Sequence, residues 1–178
     1  TNYIMLQHLL NTVKSFGNQP LHALVIGDVM LDRYLIGNVG RISPEAPVPI
    51  VLLNEQNERA GGAANVAANL ALLGIKTHII GCVGNDAEGD SLKKSIAAID
   101  VDINGIIHSP YRPTIAKTRI LSGHQQMLRL DQESTAAFNS DENAQLMSAI
   151  DVALAQQPNI VILSDYAKGL LSETVCQH

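Results

Sequence analysis

The chain has 178 residues, 46% of them apolar, a formal net charge of -5, two cysteines, two phenylalanines and no tryptophan. Those values suit one folded domain with an aliphatic core, and an acidic balance without a Lys/Arg run argues against a nucleic-acid or membrane-surface partner. A phosphorylated ligand stays admissible, because a few local cations and backbone N–H groups suffice to hold one.

Residues 3–16 carry Ile4, Leu6, Leu9, Leu10 and Val13 at helical spacing and are predicted as an amphipathic helix. This stretch does not read as a signal peptide, and no window approaches the roughly 18 apolar residues of a membrane span. The expectation is therefore a soluble cytoplasmic protein. LHALVIGD, residues 21–28, is a short apolar run ending in Gly-Asp, the pattern of a buried parallel strand that opens into a site. Residues 33–53 hold two strand-like pieces around Pro44, Pro47 and Pro49. Proline is confined to sheet edges and bulges, so this segment is predicted to leave the main sheet as a small β lid.

An Ala-rich helix is predicted over residues 62–73, ending at Gly74. A strand over KTHIIGCVG follows, with Cys82 as a small core residue, then a helix from the Asn-Asp pair to about residue 98. VDINGIIH is a further strand. PTIAKTRILS and HQQMLRLDQE form a hairpin about Ser122-Gly123, assigned to the lid over 114–131. A helix from Ser140 to about Gln156 is broken by Pro158-Asn159. IVILSDYAKG repeats the first strand pattern, and LLSETVCQH begins another helix. Strand and helix alternate, which predicts an α/β sheet.

In open α/β sheets, ligands bind beyond the carboxyl ends of the strands. There the chain has Asp28 and Asp32, the turn GNDAEG, and Asp165, Tyr166 and Lys168. The turn at Gly61 and Gly62 would aim backbone N–H groups at the same crevice. Carboxylates with free N–H groups and a lysine suit a polyhydroxyl or phosphorylated ligand. Each residue also has an ordinary structural reading. Asp28 could cap a helix, Lys168 could be a solvated lysine, Asn65 could serve a nearby loop, and Arg41 and Glu45 could form a surface pair. No P-loop, GxGxxG, G-x-S-x-G or Cys/His cluster is present, and no metal site is predicted.

GGAANVA with Gly74 and Gly84 resembles the first signature of the ribokinase-like (PfkB) sugar kinases, and VGNDAEG resembles their VGxDxxG. GDVMLDRY, RISPEAPVPI, PTIAKTRIL, QQMLRLD and LSDYAKG resemble one branch, the kinase domains of bacterial heptose 7-phosphate kinase / heptose 1-phosphate adenylyltransferases. The resemblance spans residues 24–169 and implies part of a three-layer α/β sandwich with a protruding β lid. It implies that Asp32 and Asn65 grip sugar hydroxyls, and that Gly61 and Gly62 let a helix N-terminus approach the sugar. Asp28, Asp165, Lys117, Arg119 and Lys168 are further substrate-binding candidates, Lys168 for the substrate phosphate. Arg41, Ser43 and Glu45 belong to the lid, which in this branch pairs with a second subunit.

The implied reaction is ATP- and Mg2+-dependent phosphorylation of D-glycero-D-manno-heptose 7-phosphate at the anomeric hydroxyl. Its 1,7-bisphosphate product feeds ADP-heptose and lipopolysaccharide core synthesis. The family's second signature, DTxGAGD, which supplies the catalytic base, is absent from these residues and is expected C-terminal to His178. Residues 1–178 are thus expected to be the N-terminal part of a kinase domain, inactive alone, with no tight hold on ATP or Mg2+. Two other readings stay open: a non-catalytic sugar-phosphate-binding or dimerisation module, and another sugar kinase of the same superfamily.

Overall fold

The computed structural model describes residues 2–16 and 21–178. Helix α1 (Asn2–Phe16) forms as its periodicity requires, with Ile4, Leu6, Leu9, Leu10 and Val13 exposed. The central layer is a parallel sheet in the order β5-β4-β1-β8, made of β1 (His22–Gly27), β4 (Lys76–Gly84), β5 (Asp102–Ser109) and β8 (Ile160–Ser164). All six residues of β1 are buried, as expected of a strand covered on both faces.

Strand alternation sorts the core into two halves. Val25, Ile79 and Val83 face helices α2 (Ala63–Leu72) and α3 (Ala87–Ala97), where Ala63, Ala64, Ala67, Leu92 and Ile96 meet them. Leu24, Ile26, Ile80 and Cys82 face α4 (Ser140–Leu154) and the short α5 (Glu173–Gln177), against Leu146, Ile150, Ala153 and Val175. The expected three layers are present. Burial pushes the Cys82 thiol up to about 12, which leaves it an inert core residue. Strand β8 has a single neighbour, β1, and exposes Ile160, Val161 and Leu163.

The second sheet, β3-β2-β6-β7, is the lid. Strands β2 (Val29–Ile42) and β3 (Pro49–Gly62) form an antiparallel hairpin, closed at its tip by the Ser43 amide donating to the Val48 carbonyl, 2.9 Å. Strands β6 (Ala116–Ser122) and β7 (Gln125–Gln132) form the second hairpin, and β6 joins β2 in parallel. The first hairpin is longer than 33–53. It begins directly after Asp28 and continues through NEQNERAGG, a polar stretch without apolar alternation.

The turn GNDAEG shapes the lid root rather than a ligand site. Asp86 caps α3 by accepting from the Gly89 amide at 2.9 Å, and also accepts from the Thr114 amide (2.8 Å) and hydroxyl (2.6 Å). Thr114 lies two residues before β6, so the cap fixes where the second hairpin leaves the core. Burial opposes the Asp86 charge, but these hydrogen bonds outweigh it and hold its pKa below the ordinary value.

At the opposite, N-terminal edge of the sheet, His22 and His78 are buried; the His78 ring nitrogens have no hydrogen-bond partner among the described residues, and Nδ1 lies 3.7 Å from the Asp102 carboxylate. Burial lowers the His78 pKa below 6.5; Asp102 opposes that shift, while His22 and Lys76 add to it. The unfolded chain therefore takes up this proton first as pH falls. The stabilising contribution is complete above pH 6.5 and is lost as pH drops through the lowered folded value. Urea midpoints should fall between pH 7.5 and pH 5.5, and His78→Leu should flatten that dependence; equal slopes in both proteins would refute the assignment.

Candidate functional site

Asp28 is the one residue between β1 and β2, and it is 3% exposed. Its carboxylate accepts from the backbone amides of Tyr166 (2.9 Å), Lys168 (3.1 Å) and Leu170 (3.4 Å). Its carbonyl accepts from the Ala63 amide that opens α2, 3.0 Å, and its own amide donates to the Ser164 carbonyl, 3.2 Å. The structure thus gives Asp28 a scaffolding place instead of the expected contact with substrate. It joins β1, the lid root, α2 and the loop after β8 at one point.

Above this joint a cavity of about 360 Å³ opens between the lid and the start of α2. Asp32, Gly61, Gly62, Asn65, Lys117 and Arg119, all candidates from the sequence, line it together with Met30, Tyr34, Arg59 and Tyr166. Strand register explains the convergence. Asp32 on β2 lies opposite Arg59 on β3 and Lys117 on β6, and Tyr34 lies opposite Arg119. Residues two apart share a face of a strand, so this inner face collects one carboxylate and three cations.

The double glycine has a steric cause. A Cβ on Gly61 would overlap the Asp32 carboxylate, and one on Gly62 would overlap the Asp28 carbonyl. Gly62 also has φ +58° and ψ -135°, a conformation that side chains disfavour. Among the described residues no side chain caps α2; its first amide, Ala63, is met by the Asp28 carbonyl instead.

Arg119 Nη1 donates to Asp32 Oδ1 at 2.6 Å, and this bond, ahead of the cost of burial, raises the Arg119 pKa further. Arg59 and Lys117 form no ion pair and donate no side-chain hydrogen bond among the described residues. The outer face of the same strands carries an ion cluster. Arg33 donates to Glu58 (2.7 Å) and Glu88 (3.1 Å), and the Ser91 hydroxyl also donates to Glu58. Burial works against the Glu58 charge, yet bonds from Ser91, Arg33 and Gln56 hold its pKa below the carboxylate norm. This cluster fastens the lid to α3.

The remaining candidates lie elsewhere. The Lys168 ammonium donates to Glu133 at 2.9 Å and does not line the cavity, contrary to its expected place at the substrate phosphate. Asp165 accepts from the Ala167 amide two residues on, an Asx turn. Arg41, Ser43 and Glu45 sit at the lid tip; Ser43 accepts from the Glu45 amide, and Arg41 and Glu45 form no ion pair among the described residues. Sequence reasoning missed Tyr34, Arg59 and Met30 as lining residues. The sign that could have found them was period-two spacing from Asp32 and Gly61.

A parallel α/β sheet with flanking helices and a detached β lid defines the ribokinase-like class. A Staphylococcus aureus structure assigned as a phosphofructokinase matches it with a TM-score of 0.66 at 17% identity, over 87% of this chain and 47% of that one. An uncharacterized sugar kinase from Pyrococcus horikoshii, solved in complex with ATP, matches with a TM-score of 0.53 at 24% identity, over 79% of this chain and 42% of that one. The family model described as pfkB family carbohydrate kinase matches residues 21–177, and the chain belongs to that family. A relative named Bifunctional protein HldE from Methylobacillus flagellatus is 59% identical over 174 residues, 97% of this chain. The chain spans 36% of that relative's length.

Asp28→Ala should destabilise the fold by about 3 kcal/mol, since it strands backbone donors that are worth about 1–3 kcal/mol each when left unpaired. Denaturant unfolding measures this, and a loss under about 1 kcal/mol would show that water or repacking replaces the carboxylate.

Proposed function

We propose that this chain forms the sugar-phosphate-binding part of a kinase that phosphorylates D-glycero-D-manno-heptose 7-phosphate at its anomeric hydroxyl. The product in this reading is the 1,7-bisphosphate of ADP-heptose and lipopolysaccharide core synthesis, made in the cytoplasm. The observation that carries the reading is the cavity beside α2, where an oriented carboxylate faces two uncommitted cations. The branch-specific strings RISPEAPVP and SDYAKG support the choice of sugar.

Asp32, held by Arg119, accepts hydrogen bonds from sugar hydroxyls, and the Asn65 amide adds a donor and an acceptor. The start of α2, beyond the Ala63 amide that Asp28 takes, turns its positive end toward sugar oxygens. Arg59 and Lys117, which line the cavity, take the substrate phosphate. Three cations against one carboxylate leave an excess of two positive charges, which matches a phosphate monoester dianion. The lid excludes water over the bound sugar.

Phosphoryl transfer is chiefly positioning and charge stabilisation. In this reading the chain supplies positioning, while the base and ATP site come from the remainder of the relatives' length. Among the described residues no group of three or more His, Cys, Asp or Glu is placed to hold a metal ion. Pairing of lids in a homodimer is part of the same proposal, supported by exposed Ile42, Leu52, Leu53, Leu128 and Leu130.

Calorimetric titration with heptose 7-phosphate tests the reading. Asp32→Asn should weaken binding at least about tenfold, the worth of a charge-assisted hydrogen bond; unchanged affinity would remove Asp32 from the sugar site. For the lid, Leu52→Asp combined with Leu130→Asp should lower the sedimenting mass, and an unaltered dimer would place its interface elsewhere.

A further inference from the structure

Arg59 lies directly opposite Asp32 in strand register, yet the Asp32 carboxylate is bonded to Arg119 instead. The Arg59 guanidinium rests 5.8 Å from the centroid of the Tyr34 ring, and the Arg119 guanidinium lies 5.3 Å from the same centroid. Both distances are within reach of cation–π attraction. Tyr34 sits two residues beyond Asp32 on β2, diagonal to Arg59, where cross-strand geometry allows an aromatic ring to reach an arginine. Its hydroxyl makes no hydrogen bond among the described residues. The ring face is therefore the part of Tyr34 that interacts.

A carboxylate partner would fix Arg59 but would occupy the N–H donors that a phosphate needs, and it would cancel the charge. An aromatic face orients the planar guanidinium and leaves its donors free. The backbone is steadied from the far side, because neighbouring Glu58 is bonded to Arg33 and Ser91 on the outer face of the lid. Arg59 thus keeps side-chain freedom alone, and Tyr34 limits it.

We propose that Tyr34 is a positioning residue that holds Arg59 extended into the cavity, and so sets the preference for a phosphorylated over an unphosphorylated sugar. This rests on the sugar-phosphate reading above. Tyr34 acts through the arginines over its ring, so its effect appears chiefly as a change in discrimination between the two ligands.

The test is calorimetric titration of the full-length protein with heptose 7-phosphate and with the matching unphosphorylated heptose. Tyr34→Leu should weaken binding of the phosphorylated sugar by between about 2- and 30-fold more than it weakens binding of the unphosphorylated sugar, the range of cation–π energies. Tyr34→Phe should restore the wild-type preference. Equal weakening of both ligands by Tyr34→Leu would reduce Tyr34 to a wall of the cavity and overturn the proposal, as would an undiminished preference. Should Tyr34→Leu fail to fold, Arg59→Lys serves instead. It keeps the charge but loses the stacked planar fork, so the preference should drop, and an intact preference would again overturn the proposal. A wild-type protein that binds the two sugars alike would refute the sugar-phosphate reading itself, a separate result from the loss of Tyr34's role.

Discussion

The molecule depends on a buried carboxylate. A charged group shielded from water is costly unless hydrogen bonds replace its hydration, and Asp28 is supplied by three backbone amides from residues 166–170. Those bonds draw the loop after β8 against the end of β1, and the Asp28 carbonyl ties down the first turn of α2. Tyr166 reaches the cavity because its own amide is held there. The geometry of the candidate site is thus inherited from a residue that lies beneath it.

Adjacent residues on the lid have opposed duties. Arg33 and Glu58 point outward and are joined to Glu88 and Ser91 on α3, while their neighbours Asp32 and Arg59 point into the cavity. Alternation along a strand makes this separation possible. Satisfied charges secure the lid on one face, and the excess positive charge is reserved for the other. A similar arrangement holds the approach to the second hairpin. Arg112 donates to Glu142 at 3.1 Å, lies 3.7 Å from the Phe138 ring centroid and also meets the carbonyls of Ala136 and Ala137. Polar networks therefore surround the site without entering it.

Apolar periodicity made the central layer legible. HALVIG and KTHIIGCVG could bury both faces only between helices, and the Ala-rich repeat after Gly62 could form only a closely packed helix. Asp32, Asn65, Lys117 and Arg119 were legible as chemistry, and the structure brings them together with the double glycine. The lid was read too short, because NEQNER is polar on both faces: one lines a cavity and the other carries an ion cluster. Arg59 and Tyr34 were missed for a related reason. Each shares a face with a recognised candidate two residues away, Tyr34 with Asp32 and Arg59 with Gly61, but nothing in a polar stretch without apolar alternation marks that face. Asp28 and Lys168 have the right chemistry near the right place. Backbone donors in one case and Glu133 in the other had claimed them, and such partners are distant in sequence.

The continuity of β1 into β2 has a mechanical consequence. One residue separates the rigid central sheet from a 14-residue lid strand, so the lid is an arm cantilevered from a fixed shaft. At about 3.3 Å per residue that arm is roughly 46 Å long, and a tilt of about 10° at its root carries the tip about 8 Å. Any small adjustment among the hydrogen bonds around Asp28 would thereby be magnified at Ser43 and Glu45. Residues near the pivot, Asp32 and Gly61 among them, would move little under the same tilt. A lever of this shape leaves contacts close to its pivot in register whatever the angle of the far end.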